Sequence, residues 1–375
     1  MSVDQAKVRA LVDSVMAPLV REQELPGLAV GVTIHGKKYF FNYGVASKKS
    51  HRPVDSRTLF EIGSISKTFT ATLASYAQVT GRLSWADPVS KYLPGLRGSS
   101  FGRVRLINFA THTTGGLPLQ VPVEVKNFEQ LMGYLRRWKP ATPPGTSRTY
   151  SNISIGLLGA IAAKSLRQPF DQLMERTLFP RLGMDESYLH VPADQMARYA
   201  QGYTKEGGPI RMSVGVLASE AYGVKSSSAD LLRFVLANLQ SASGRGPMER
   251  AISLTHTGYF TSGALVQDLI WEQYPYPVQL KRLLAGNSVQ MILESNSATA
   301  LGKPLPPQTD VLIDKTGSTN GFGAYVAFIP SRQIGIVMLA NKSFPIPARV
   351  TAAFEVMSRL VDPTMPGHDE SPHRL

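Results

Sequence analysis

The 375 residues carry 40 Lys and Arg against 27 Asp and Glu, a net charge of +13, with 43% hydrophobic residues, 18% charged residues and no cysteine. That balance suits a large soluble globular chain with room for two lobes, and it excludes disulfides, thiolate metal sites and a cysteine nucleophile. No apolar run approaches the roughly 20 residues that a membrane-spanning helix needs. The positive residues are dispersed, in pairs such as Lys37-Lys38, Lys48-Lys49 and Arg136-Arg137, without a basic block interleaved with aromatics. Nucleic acid is therefore not the expected partner. Steering of a small anionic substrate is, with solubility alone as the alternative. The histidines show neither H-x-x-x-H nor H-x-H spacing, so no metal site is expected. The opening Met1-Ser2-Val3-Asp4 lacks a basic region followed by an apolar core; a cytoplasmic protein or a processed form is expected.

Val8, Leu11, Val12 and Val15 recur at helical spacing, predicting an amphipathic helix that Pro18 and Pro26-Gly27 end or kink. Residues 28–34 and 38–45 read as two strands around a turn at Gly36, and a helix runs from Ser64 to about Thr80, closed by Gly81. Helical patterns follow at 128–138 and 153–166, separated by joints rich in proline and glycine such as 140–145. Residues 311–315, 324–329 and 333–340 read as an antiparallel meander. Val350, Phe354, Met357 and Val361 mark a closing helix, and the polar stretch from Pro363 to Leu375 a loose tail. The expected architecture is α/β. One antiparallel sheet built from both ends (1–80 and 171–375) is flanked by the N- and C-terminal helices, with an all-helical domain (81–170) inserted and the site between them.

Three short motifs carry candidate chemistry. Ser64-Ile65-Ser66-Lys67 is the only S-x-x-K in the chain and stands at a helix start, so Ser64 and Lys67 share a face. A serine hydroxyl needs a base within reach, which a lysine supplies once burial or neighbouring cations lower its pKa. Free N–H groups at the helix start suit an oxyanion; the plain alternative is a capping serine beside a solvated lysine. Tyr150-Ser151-Asn152 lies between Pro143-Pro144-Gly145 and a helix, where the tyrosine can serve as acid or base, or the segment can simply cap. Lys315-Thr316-Gly317-Ser318 ends a strand, offering a cation and hydroxyl to a carboxylate, or merely a protective edge lysine. Arg349 falls in the first turn of the closing helix, where the macrodipole disfavours a cation unless an anion relieves it. All three motifs in this order arise by composition on the order of one time in fifty.

With the longer runs Phe60–Lys67, Glu220–Lys225, Lys315–Pro330, Ala340–Lys342 and Pro347–Arg349, the chain resembles the class C (AmpC-type) serine β-lactamases along nearly its whole length. The resemblance implies a β-lactamase and penicillin-binding-protein transpeptidase-like fold without a cofactor. It also implies hydrolysis of the β-lactam amide of penicillins and cephalosporins, hence antibiotic resistance, by a periplasmic monomer that prefers cephalosporins. By resemblance, Ser64 is acylated while Lys67 and Tyr150 share the acid–base work. Backbone N–H groups of Ser64 and Ser318 form the oxyanion hole. Asn152 and Gln120 hold the side-chain amide, Lys315, Thr316 and Arg349 engage the carboxylate beside Gly317, and Tyr222 walls the pocket. No E-x-x-L-N occurs, since Glu175–Phe179 and Glu186–His190 lack the asparagine, so a glutamate deacylation base is not expected. Ile346 stands where many class C enzymes carry asparagine. The alternatives are a D-Ala-D-Ala carboxypeptidase or lactamase-like esterase, against which Lys315-Thr-Gly counts, and a β-lactam sensor that acylates and stalls.

Overall fold

The computed structural model describes residues 5–361. Helix α1 (Gln5–Glu22) buries Val8, Val12, Val15, Met16 and Leu19, and Pro18 lies inside it rather than ending it. Proline costs a helix interior about 3 kcal/mol. Five buried apolar side chains, each contributing about 1.5–3 kcal/mol, outweigh it. Strands β1 (Gly27–Ile34) and β2 (Lys37–Gly44) follow as a hairpin whose turn glycine, Gly36, has φ +82°.

The next helices are α2 (Ser66–Val79), α3 (Phe128–Arg137), α4 (Asn152–Leu166), α5 (Ser228–Gln240) and α6 (Pro247–Thr255). Strands β3 (Gly258–Ser262), β4 (Leu265–Gln267), β5 (Glu272–Pro275) and β6 (Thr299–Leu305) precede the meander β7 (Val311–Ser318), β8 (Gly323–Ile329) and β9 (Ile334–Ala340). Helix α7 (Ile346–Val361) closes the described chain; the tail expected beyond Pro363 lies outside the described residues.

Among the described residues, nine strands form one antiparallel sheet in the order β6-β3-β4-β5-β7-β8-β9-β1-β2. The two ends of the chain meet where β1 pairs with β9, from Leu28 opposite Ala340 to Ile34 opposite Ile334. The sequence pattern anticipated that junction and the meander, but not β3 to β6. Those four strands are short or solvent-exposed, so they show no apolar alternation: in β6 the consecutive Gly302, Lys303 and Pro304 are all exposed.

Both faces of the central strands are covered, which is why β1 and β9 read as continuous apolar runs. Leu28, Val30 and Val32 face a core shared with α1 and α7, while Ala29 faces a second core shared with α2, α4 and α5. Gly31 permits the close approach of α5, because an added Cβ would lie 3.3 Å from Ser228 O. Helix α2 is buried nearly all round, packed between α4 and α6. Its N-terminus is thereby fixed against the end of β7. Among the described residues no helix is long and apolar enough to cross a membrane.

Candidate active site

The chain enters α2 through a short 3-10 turn, Gly63–Ile65, whose first residue has φ +52°. A Cβ at Gly63 would sit 2.5 Å from Ser318 N, and one at Gly317 would sit 2.0 Å from Ile62 O. Two glycines thus let the β7 end and the turn carrying Ser64 touch backbone to backbone. No cap hydrogen bond uses the Ser64 side chain. It accepts instead from Lys67 Nζ at 2.8 Å, and the same ammonium donates to Ala221 O at 2.9 Å.

Lys67 is fully buried, and desolvation, reinforced by the neighbouring Lys315 charge, lowers its pKa to about 8 against the opposing pull of Tyr150. The Tyr150 ring lies 5.1 Å from Lys67 Nζ, 5.1 Å from Lys315 Nζ and 5.7 Å from Arg148 Cζ. Burial alone would raise its pKa, but the Lys315 and Lys67 charges prevail and bring the phenol below its ordinary value. Its oxygen is buried and has no hydrogen-bond partner of good geometry among the described residues. Lys315, also buried, moves the other way: desolvation is outweighed by Tyr150 and by Glu272, whose Oε1 lies 3.9 Å from Nζ, so its charge is secured.

Ser64, Gln120, Tyr150, Asn152, Tyr222, Lys315, Thr316, Gly317 and Ser318 line one cleft of about 710 Å³. Asn152 Nδ2 donates to Gln120 Oε1 at 2.9 Å, leaving Asn152 Oδ1 without a partner. The capping alternative for the tyrosine loop is also realised, since the Ser151 side chain accepts from Ser154 N. Ile346 reaches the cleft from the start of α7, presenting an apolar edge near Ser343.

Arg349 is placed differently from its expected neighbours. Its guanidinium is buried and donates to Gly317 O at 2.7 Å, to Ser318 Oγ at 2.8 Å and to Phe344 O, and it is absent from the cleft wall. The carbonyls of Gly317 and Phe344 and the Ser318 hydroxyl surround it in the first turn of α7. Arg148, Glu272 and His112, which the sequence did not single out, complete the surroundings. Arg148, 1% exposed, donates to Gln267 Oε1, Met291 O and Glu272 Oε1, and His112 packs on the Tyr150 ring with centroids 4.4 Å apart. Nothing in local spacing marks these long-range contacts. A lone signal was Arg148, standing two residues before Tyr150.

A cleft-facing serine on a buried lysine, a phenol between cations and a cationic strand end beside backbone N–H groups together suit acyl transfer to serine from an anionic substrate. The Beta-lactamase family matches residues 9–360. A β-lactamase of Pseudomonas fluorescens is 50% identical over 353 residues, 94% of this chain and 99% of that protein. A solved class C β-lactamase in complex with cefoxitin is 53% identical, covering 95% of this chain and 99% of its own, with a TM-score of 0.92. A D-alanine carboxypeptidase AmpC of Burkholderia cenocepacia is 51% identical with a TM-score of 0.91, covering 95% and 99%. The chain belongs to the β-lactamase family, in its class C (AmpC-type) branch. It is a hydrolase of cyclic amides.

Proposed function

We propose that this enzyme opens the β-lactam ring through an acyl-enzyme on Ser64, with Lys67 and Tyr150 sharing the proton transfers. One observation carries it: Ser64 Oγ, 2.8 Å from Lys67 Nζ, opens into the cleft where the Tyr150 ring stands 5.1 Å from both lysine ammonium groups. A lysine lowered to about 8 is partly neutral near that pH, and a phenol brought below its ordinary value gives up its proton more easily than a free one. Either accepts the Ser64 proton as Oγ attacks the lactam carbonyl. The C–N bond then breaks, and the ring nitrogen receives that proton. In the second half Tyr150 takes a proton from water, the resulting hydroxide attacks the ester, and Ser64 leaves with the proton returned.

Backbone N–H groups of Ser64 and Ser318 would hold the oxyanion, a role their adjacency supports. Asn152 and Gln120 would bind the side-chain amide, and Tyr222 would wall it. Lys315 and Thr316 would hold the carboxylate, with Gly317 allowing the close approach. Arg349 would act on that carboxylate through the strand end it anchors, not by contact. The helical segment 81–170 and the sheet would form the two walls. Penicillins and cephalosporins are the proposed substrates, with antibiotic resistance as the consequence, and the solved class C relative in complex with cefoxitin supports this choice. A periplasmic monomer is proposed, to be checked by cell fractionation and gel filtration.

Ser64→Ala should abolish nitrocefin turnover with an unchanged circular dichroism spectrum; appreciable residual hydrolysis would overturn the assignment. A solved relative named as a D-alanine carboxypeptidase favours one second reading. Comparing nitrocefin, a peptide ending in D-Ala-D-Ala and a short-chain ester separates the two, because a carboxypeptidase would turn over the peptide fastest. A stable wild-type adduct in a single-turnover assay would instead indicate a sensor.

A further inference from the structure

His112 grips the segment that carries Tyr150 at three points. Its carbonyl accepts from Thr149 N at 2.8 Å, its Nδ1 accepts from Ser151 N at 3.3 Å, and its ring lies against the phenol ring, centroids 4.4 Å apart and inclined by 45°. The two amides held are those on either side of Tyr150. The residue adopts φ +58°, a left-handed conformation uncommon outside glycine that histidine tolerates better than most side chains. Ser154 Oγ, 3.0 Å from Nδ1, ties the same ring to the first turn of α4, and Nε2 is buried without a partner.

We propose that His112 is a positioning residue for the reaction, a neutral imidazole that holds the Tyr150 phenol between Lys67 and Lys315 through these contacts. This deepens the proposed role of Tyr150 and rests on it.

The chemistry of the grip requires that particular side chain. Nδ1 accepts from an amide, so the ring hydrogen belongs on Nε2. Protonation would set an N–H against the Ser151 N–H and release the loop. The charged groups facing the ring all oppose it: Arg148 from the short strand Ser147–Thr149, Lys67 from α2 and Lys315 from β7, with Glu272 of β5 drawn off by Arg148 and Lys315. Burial and these three cations hold the imidazole pKa well below 6.5, so the clamp stays closed throughout the range in which Tyr150 exchanges protons. Phenylalanine would keep the stacked face but lose the acceptor. Asparagine would keep an acceptor but lose the face.

His112→Phe and His112→Asn are therefore the informative variants, read with nitrocefin. In either, kcat should fall by about tenfold or more while KM changes little, as expected when a proton carrier is misplaced. The Tyr150 ionisation, followed by NMR of Cζ-labelled tyrosine, should rise by about half a unit or more as the ring drifts from its two cations. Unchanged kcat and unchanged Tyr150 ionisation with only a lower Tm would reduce His112 to a filler of space and overturn the proposal. Should neither variant fold, the wild-type ring decides: a neutral Nε2–H tautomer down to about pH 5 supports the proposal, and an Nδ1–H tautomer or titration above that pH overturns it. Tyr150→Phe separates the two levels. Wild-type turnover there removes Tyr150 from the mechanism, whereas a slow Tyr150→Phe beside normal His112 variants removes only this inference.

Discussion

Arg148 and Glu272, 124 residues apart in sequence, form a fully buried ion pair at 2.8 Å beside the Tyr150 ring. The pair joins the tyrosine loop to the β5 strand, and Glu272 faces Lys315 from the same position. The positive field around the phenol is thus only partly offset by one carboxylate.

Arg148→Met should unfold early. It strips donors from Gln267 Oε1, Met291 O and Glu272 Oε1 at once. Removing one partner of a buried pair costs about 3–5 kcal/mol because the other charge is left uncompensated. Urea unfolding at neutral pH measures this, and a loss below about 1 kcal/mol would mean that the pair does not hold the tyrosine loop to β5.

Gly63→Ala should cripple turnover more than binding. The methyl would meet Ser318 N at 2.5 Å from a backbone at φ +52°, pushing the strand end from the Ser64 turn. Loss of one oxyanion donor lowers kcat by about 100-fold or more. Wild-type kcat in a folded Gly63→Ala protein would show that the Ser318 backbone takes no part.

Lys315→Ala removes a ligand for the substrate carboxylate and one of the two cations that lower the Tyr150 pKa. A charge-assisted hydrogen bond contributes about 1.5–3 kcal/mol, so kcat/KM for a carboxylated substrate should fall about 10- to 100-fold. With less positive charge nearby, the phenol pKa rises and the pH–rate limb governed by Tyr150 moves to higher pH. A profile superimposable on wild type would contradict both roles.

Asp268 is buried, and neither carboxyl oxygen has a partner among the described residues; desolvation raises its pKa well above 3.8. The unfolded chain releases this proton near its ordinary value while the folded protein keeps it. The contribution to stability is therefore full at low pH and declines as pH rises from about 4 toward the folded pKa. Asp268→Asn should match wild type near the acid end and exceed it by about 1 kcal/mol or more at neutral pH. Tm measured across pH tests this; a difference independent of pH would refute it.

Much of the scaffold was legible because its signals are local. The apolar runs of β1, β7, β8 and β9 and the helical spacing of α1, α2, α4 and α7 appear in sequence almost where they lie in space. Strands β3 to β6 were not legible, since pairing with neighbours rather than apolar pattern defines them. The site divides likewise. Ser64 and Lys67 share one helical turn and could be paired by spacing, but His112, Arg148 and Glu272 act across long separations that no motif encodes.

Residue types and short-range spacing picked out the candidate serine, its lysine, the loop tyrosine and the strand-end cation, because each pattern lies within a few residues, and the resemblance to class C β-lactamases supplied their proposed roles. Only the folded arrangement decided which charges surround the phenol, why Lys67 is lowered to about 8, and that Arg349 turns onto the carbonyls of Gly317 and Phe344. Burial and electrostatic coupling depend on distances through space, and those exist only after the two ends of the chain have closed the sheet between them.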